Sequence, residues 1–161
     1  MTNGQDLRAK PVSASRVVLS TFMNPADANP LGSVHGGVIL RLVDEAGGVA
    51  AARHARRPTV TVALDSMTFR SPVPIGCLVT FKASVNYAGT TSMEVGVRVE
   101  TEDLLTGEIR HTSSAYLVYV ALDEEGKPCP VPGLIPENEE DRRRMAAAEA
   151  RMGARRKQRK G

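Results

Sequence analysis

Hydrophobic and polar positions alternate with the period of a β-strand over much of the chain. The segment Leu78–Tyr87 has an apolar side chain at every second position, and Met93–Val99 repeats the pattern. Such alternation is typical of strands with one buried face. Less regular apolar, β-branched runs predict three more strands: Arg16–Met23, Thr59–Phe69 and Glu108–Ala121. Short turns separate the later strands, so we expect an antiparallel sheet.

One long helix is predicted between the first two strands, from Gly36 to about Ala55. Its apolar residues recur every three or four positions, and further apolar residues continue onto the other sides. Asp44 is an acidic residue in the middle of this largely apolar helix. Gly47 and Gly48 each lower helix propensity by about 1 kcal/mol relative to Ala. We therefore expect a sheet or a second helix to pack very close to this glycine pair.

One strand, one buried helix and about four antiparallel strands predict the α+β class, with an antiparallel sheet wrapped around a long central helix. Residues 1–14 are polar and are predicted to be a disordered lead-in. Residues 15–126 are predicted to form the single domain. Residues 127–161 are predicted to be a proline-rich linker followed by an exposed, basic C-terminal helix.

Composition narrows the class of protein. A chain of 161 residues with 42% hydrophobic and 24% charged residues is expected to form one globular domain. No apolar run approaches the roughly 18 residues of a membrane span, and the first residues lack the apolar segment of a signal peptide. Cys77 and Cys129 have no CxxC spacing and no nearby histidine. This pattern favours a reducing compartment, without a disulfide framework or zinc site, and predicts a cytoplasmic protein.

The net charge of +3 comes from the C-terminal tail. From Asp141 onward there are nine Lys or Arg and two acids, which leaves 12 basic and 16 acidic residues in the rest of the chain. A solvated, frayed basic tail is the simpler interpretation. The alternative is contact with an anionic ligand or nucleic acid. Aromatic residues make up only 4% of the chain and Trp is absent, so nucleic acid is the less favoured partner.

The segment Asn24–Gly48, NPADANPLGSVHGGVILRLVDEAGG, resembles the hotdog-fold acyl-CoA thioesterases, in the cytosolic long-chain acyl-CoA hydrolase branch. Three later segments agree: VTVALDSMTFRSPVPIG, NYAGTTSMEVGVRVE and PVPGLIPENEEDRRRMAAAEAR. Together they cover about Ser15–Arg151. The resemblance implies a single hotdog domain with a C-terminal helical extension. It also implies an acyl-CoA substrate, no cofactor beyond the coenzyme A of that substrate, and a double-hotdog homodimer, which is often part of a trimer of dimers.

The resemblance implies that Asn29 and Asp44 are catalytic. Thioester hydrolysis needs a water activated near neutral pH and hydrogen-bond donors aimed at the carbonyl oxygen. Asp44 lies in an apolar helix, and such surroundings are expected to raise its pKa toward that of a general base. The backbone N–H groups of Gly36 and Gly37 at the helix N-terminus are candidates for the oxyanion site, with Gly37 assigned as catalytic. This chemistry requires no metal.

Distance along the helix predicts a site shared between two chains. Gly37 and Asp44 are seven residues apart, which is about 10 Å at the rise of an α-helix. One thioester carbonyl cannot contact both at working distances near 3 Å. Both residues can therefore act on one substrate only when Asp44 comes from a neighbouring subunit with an antiparallel helix.

Each candidate residue has a simpler alternative role. Asp44 could be a structural acid paired with Arg41, and Asn29 could serve only to stabilise its loop. His35 beside two glycines suggests a catalytic histidine, but the chain has no G-x-S-x-G motif, so a substrate contact or loop-fixing role is favoured. Asp65 is expected to be structural, with a water-orienting role as the alternative.

The predicted substrate-binding residues are His35, Gly36, Thr90, Thr91, Ser92 and Arg98. The three hydroxyl residues follow a glycine and could contact pantetheine or phosphate, or could simply form a turn. Further candidates for the nucleotide phosphates are Arg70, Lys82 and Arg110.

The predicted function is hydrolysis of fatty acyl-CoA to fatty acid and free coenzyme A. Two other classes stay open. One is a hotdog dimer that binds or senses acyl-CoA without turnover. The other is a binder of nucleic acid or anionic surfaces that acts through residues 142–160.

Overall fold

The computed structural model describes residues 5–161, and its regular elements follow the predicted order. In chain order they are β1 (Lys10–Pro11), a 3-10 helix (Val12–Ser15), β2 (Val17–Phe22), a second 3-10 helix (Pro25–Asp27), α1 (Gly36–Ala55), β3 (Thr59–Phe69), β4 (Leu78–Ala88), β5 (Ser92–Glu102), β6 (Ile109–Ala121), β7 (Leu134–Ile135) and α2 (Glu139–Arg159). The predicted bounds of α1 and β3 match those observed.

Five strands form one antiparallel sheet in the order β2-β4-β5-β6-β3, and α1 packs on its inner face. The alternation predicted for β4 and β5 sets the core, because the apolar positions of both strands are buried. The main contributors are Val79, Phe81, Val85, Met93, Val95, Val97 and Val99. The predicted α+β architecture, an antiparallel sheet around a long helix, is confirmed.

Only one face of α1 is buried in a single chain. Ile39, Val43, Ala46 and Ala50 point into the core, whereas the face that carries Asp44 is exposed. Apolar residues on that face are therefore accessible. The apolar residues predicted on the other sides of the helix are thus exposed in one chain, since the sheet covers only one side of it.

The close packing predicted at the glycine pair of α1 is present and comes from the sheet. A Cβ added to Gly47 would lie 2.4 Å from the hydroxyl of Tyr119 on β6, whereas a Cβ on Gly48 would lie 3.7 Å from the same ring. Gly47 therefore admits the tyrosine against the helix, because any larger side chain would collide with it.

Residues 10–15 differ from the predicted disordered lead-in of residues 1–14. Lys10 and Pro11 pair in parallel with Leu134 and Ile135 of β7, and the 3-10 helix follows directly. The Lys10 ammonium also donates to the backbone carbonyl of His54 at the end of α1, at 2.7 Å. Composition did not predict that this segment is ordered, because its structure comes from backbone pairing with β7. Residues 1–4 of the predicted lead-in lie outside the described residues.

The C-terminal helix packs on the outer face of the sheet. Ala148 and Met152 of α2 are buried. Arg151 makes three hydrogen bonds of 2.7–3.2 Å to the fully buried carboxylate of Glu94, and its guanidinium lies 3.7 Å above the ring of Tyr116. Arg155 of the same helix pairs with Asp65 of β3 at 2.9 Å. Two cations of the tail that was predicted to be solvated therefore have ion-pair partners on the sheet.

Candidate active site on the exposed face of the central helix

Two hydroxyl groups converge on the Asp44 carboxylate. Thr61 Oγ1 donates to Asp44 Oδ1 at 2.7 Å, and the hydroxyl of Tyr119 donates to the same oxygen at 3.0 Å. Within residues 5–161 the other carboxylate oxygen, Oδ2, accepts no hydrogen bond. One oxygen of Asp44 is thus anchored and the other is open to a water or a substrate.

Strand register brings these two hydroxyls together. Thr61 on β3 is the direct cross-strand partner of Tyr119 on β6, so both side chains emerge on the same face of the sheet. That face packs against α1, where Asp44 occupies the middle of the helix. No role was predicted for either residue from the sequence. Thr61 lies among valines and Tyr119 lies in an apolar strand, and neither context shows the register that pairs them.

The predicted apolar surround of Asp44 is absent from a single chain. Its side chain is exposed, as is that of Leu40 one turn earlier on the same face of the helix. The alternative structural role is not supported either, because Arg41 pairs with Glu45 at 2.8 Å. Desolvation of Asp44 would therefore require a second molecule against this face.

Asn29 organises the loop that precedes α1. Its Oδ1 accepts hydrogen bonds from the backbone N–H groups of Leu31, at 2.9 Å, and Ser33, at 3.2 Å. Its Nδ2 donates to Ser33 Oγ at 3.1 Å. These contacts are the loop-stabilising role weighed from the sequence. Nδ2 uses only one of its two hydrogens within the described part of the chain, so one donor is left for another group.

His35 caps the N-terminus of α1. Its Nδ1 accepts the backbone N–H of Gly37 at 3.0 Å. Gly37 was expected to offer a free oxyanion donor, and in this conformation its N–H is already used. The N–H of Gly36 has no acceptor among residues 5–161. The helix N-terminus thus presents one free donor and one that a turn of the histidine ring would release.

The remaining predicted substrate-binding residues lie away from Asp44. Thr90 and Thr91 belong to the β4–β5 turn, where their carbonyls accept the N–H groups of Val131 and Ala121. The neighbouring Ser92 carbonyl accepts the N–H of Gly89 within that turn. Because Ala121 pairs with Thr59 just after α1 ends, this turn lies at the opposite end of the sheet from the helix N-terminus.

Arg98 lies on the outer face of the sheet. It pairs with Glu100 at 2.9 Å, and Glu100 also pairs with Lys82 at 3.1 Å. Both cations line a cavity of about 410 Å³ between the sheet and α2. One chain therefore does not bring Arg98 together with Asp44, since the sheet separates them.

The described residues also include possible metal ligands, two cysteines and two α-helices. Among residues 5–161 no three His, Cys, Asp or Glu side chains cluster in a way that could hold a metal ion. Cys77 and Cys129 are buried and unpaired. Burial and the nearby charge of Asp103 raise the pKa of the Cys77 thiol. In this part of the chain neither helix combines the length and apolar character needed to cross a bilayer.

Sequence comparisons find a family model and related proteins that match much of the chain. The family model described as Thioesterase superfamily matches residues 31–108. The uncharacterized acyl-CoA thioester hydrolase YkhA of Bacillus subtilis is 41% identical over 127 residues, which are 79% of this chain and 74% of that protein.

Solved structures are similar over nearly the whole chain. An apo hexameric acyl-CoA thioesterase is 40% identical, with a TM-score of 0.91 over 94% of this chain and 97% of that chain. An acyl-CoA hydrolase from Staphylococcus aureus, solved in complex with butyryl coenzyme A, coenzyme A and coenzyme A disulfide, is 34% identical. Its TM-score is 0.88 over 94% of this chain and 92% of that chain.

Proposed function

The chain belongs to the hotdog acyl-CoA thioester hydrolases of the thioesterase superfamily, and on this premise we propose that it hydrolyses fatty acyl-CoA to fatty acid and free coenzyme A. The observation that carries the proposal is the Asp44 carboxylate, with one oxygen held by two hydroxyls and the other open. An acid held in this way suits the activation of a water molecule.

In the proposed reaction the open oxygen of Asp44 accepts a proton from water while the water oxygen attacks the thioester carbon. The carbonyl π electrons move to oxygen, which accepts hydrogen bonds from helix N-terminal N–H groups. Collapse of this intermediate breaks the C–S bond. The departing thiolate takes the proton that Asp44 received, so the carboxylate is regenerated and no cofactor is consumed.

The donors in this proposal are the N–H groups of Gly36 and Gly37. Gly36 is free in the described residues, and Gly37 becomes free when the His35 ring turns away. The unused hydrogen of Asn29 Nδ2 is proposed to orient the attacking water or the carbonyl. His35 is proposed to contact substrate from the same helix end.

We propose that the site is shared by two subunits. Gly37 and Asp44 lie on one helix, about 10 Å apart along its axis. β3 is an edge strand of 11 residues with exposed Val60, Val62 and Leu64, and its outer edge has no partner strand among residues 5–161. An edge strand this long and apolar favours pairing with another chain. The exposed face of α1 would then be covered, and the acyl chain would run between the subunits.

A homodimer is the minimum assembly in this proposal. Association into a trimer of dimers is supported by the similar hexameric thioesterase. Nucleotide phosphates are proposed to lie on surface Arg or Lys, with Arg98 as the main candidate and the turn Thr90–Ser92 as a contact from a neighbouring subunit. A cytoplasmic location is proposed as well, supported by the two buried, unpaired cysteines.

The activity is tested by measuring free thiol release from a panel of acyl-CoA substrates of increasing chain length. Asp44→Ala is expected to lower kcat at least about 100-fold, because the group that accepts the water proton is gone. Glu45→Ala, the adjacent exposed acid on α1, is the matched control and should leave kcat within about twofold. Saturable acyl-CoA binding by wild type without thiol release would instead establish a non-catalytic binding protein.

Subunit sharing is tested by coexpression of Asn29→Ala and Asp44→Ala chains that carry different tags. Each mixed dimer should hold one site with both side chains intact, so mixed assemblies should recover up to about half of wild-type activity. When Asn29 and Asp44 of one chain serve the same site, every site in the mixture lacks one of them. Inactive mixed assemblies would therefore contradict the shared site.

A further inference from the structure

Tyr119 reaches Asp44 at two atoms. Its buried hydroxyl lies 3.0 Å from Asp44 Oδ1 and 3.0 Å from the backbone carbonyl oxygen of Asp44. Burial raises the pKa of Tyr119, and the charge of Asp44 and its hydrogen bond raise that pKa further. The hydroxyl therefore keeps its proton and can donate it to Asp44.

We propose that Tyr119 is a positioning residue that aims the open oxygen of Asp44 at the attacking water. The inference deepens the proposed hydrolysis and rests on it. A hydroxyl carries one hydrogen, so Tyr119 can direct it either to Oδ1 or to the backbone carbonyl. Thr61 holds the same Oδ1 from the neighbouring strand, at 2.7 Å. Two donors from a rigid sheet fix the rotation of a carboxylate that is otherwise exposed.

Tyr119 can donate its hydrogen to one acceptor or the other at each stage of the reaction. While Asp44 is a carboxylate, Tyr119 donates to Oδ1, because hydrogen bonds to charged acceptors are stronger than those to neutral ones. When Asp44 has taken the water proton, the acid is neutral and the same hydrogen can turn to the backbone carbonyl. The buried hydroxyl then has an acceptor in both protonation states of Asp44.

Gly47 makes this contact possible. A Cβ at this position would lie 2.4 Å from the Tyr119 hydroxyl, 3.1 Å from Cζ and 3.2 Å from Cε2. Any side chain there would displace the ring from the helix and its hydroxyl from Asp44. We therefore assign Gly47 to the same arrangement, as the residue that allows the tyrosine to approach.

The first test is Tyr119→Phe, which keeps the ring and removes the hydroxyl. We expect kcat to fall about tenfold with KM within about twofold of wild type, because the lost contact orients a reacting group and does not touch substrate. A change of packing alone would not lower kcat while leaving KM in place.

The matched control is Tyr116→Phe, on the same strand, whose ring lies under Arg151 on the other face of the sheet. It should leave both kcat and KM unchanged. A Tyr119→Phe enzyme with wild-type kcat, or with KM changed as much as kcat, would overturn the inference. A wild-type protein that releases no thiol contradicts the proposed function itself, so the two failures are distinguishable.

A second test links Gly47 to Tyr119. Gly47→Ala should lower kcat by about as much as Tyr119→Phe does, because both remove the hydroxyl from Asp44. Introduced into the Tyr119→Phe enzyme, Gly47→Ala should lower kcat by less than about a further twofold, the non-additivity expected of residues that act as a unit. Fully additive losses would show that Gly47 acts independently and would overturn that assignment.

Discussion

His54 is a fully buried histidine near the C-terminal end of α1. Its Nε2 lies 2.8 Å from the carbonyl oxygen of Pro132, and its Nδ1 has no hydrogen-bond partner in the described residues. Burial is the main cause that lowers the pKa of His54, and the nearby Lys10 charge adds to it. The folded protein therefore resists protonation of this ring.

This residue predicts an acid sensitivity of folding. The unfolded chain binds the His54 proton near its ordinary pKa of 6.5, whereas the folded chain binds it only at lower pH. Stability should thus be complete above pH 6.5 and fall as the pH drops from there toward the folded-state pKa. The slope contributed is at most about 1.4 kcal/mol per pH unit.

Urea denaturation across this pH range checks the prediction. His54→Gln should lose this part of the slope, because glutamine keeps a donor for Pro132 but does not titrate. His35→Gln, at an exposed histidine, is the control and should keep it. Equal slopes in wild type and His54→Gln would show that His54 is not the group responsible.

The sequence predicts Asp44 and Asn29 as candidates, but not the contacts that hold them. Asp44 is conspicuous because an acid in the middle of a largely apolar helix requires an explanation, and the neighbouring acid Glu45 is paired with Arg41. Thr61 and Tyr119 are ordinary strand residues, and their convergence depends on the β3–β6 register and on where the helix rests on the sheet. The occupied N–H of Gly37 was also beyond prediction, since it depends on the rotamer of His35.

At the scale of elements, the two adjacent glycines of α1 differ in what they contact. Gly47 faces the Tyr119 hydroxyl, whereas Gly48 has ordinary van der Waals distance to the ring. The sequence pattern predicted close packing at the pair but could not assign it to one member.

Alanine substitutions should separate the two positions. Gly48→Ala should be neutral or stabilise by up to about 1 kcal/mol through helix propensity. Gly47→Ala should lower the free energy of unfolding by about 1–3 kcal/mol, because the added methyl overpacks the helix–sheet contact. Chemical denaturation of both variants measures the difference, and equal effects would contradict the assigned contact.

The attachment of α2 to the sheet depends on a buried charge. Glu94 is fully buried on the outer face, and Arg151 is its ion-pair partner. Composition predicted only an exposed basic helix, because a tail rich in Arg gives no indication of which cation meets a buried acid.

Arg151→Ala should lower the free energy of unfolding by about 2–4 kcal/mol, because Glu94 stays buried without a charge partner. It should also make α2 more sensitive to limited proteolysis. Arg142→Ala removes an exposed pair with Glu139 and should cost less than about 1 kcal/mol. Similar losses for the two variants would show that the buried pair does not hold the helix.

At the scale of the whole molecule, several exposed apolar side chains lie where a second chain is proposed. Val60, Val62 and Leu64 are 43%, 54% and 43% exposed along the edge strand β3. A regular alternation over Thr59–Phe69 would place all three on one face, but two register shifts in the β3–β6 pairing put Val60 and Leu64 on opposite faces. The pattern of apolar residues does not show such irregularities, because they depend on the pairing with β6.

Val62→Lys should therefore disrupt the proposed dimer and thiol release together, since a charge on an edge strand opposes pairing. Light scattering would report the molar mass and the thiol assay the activity. Val18→Lys, at another exposed valine on the opposite edge strand β2, is the control and should keep both. An active Val62→Lys monomer would refute the shared site.

The pairing of β1 with β7 has a consequence for the order in which the fold assembles. Residues 10–11 leave the ribosome first, and their partners at residues 134–135 are made more than 120 positions later. Closing so long a loop is entropically costly and is rewarded only after the intervening sheet has formed. Residues 10–11 should thus remain unpaired while the sheet forms, so that β1 and β7 are secured together in one late step.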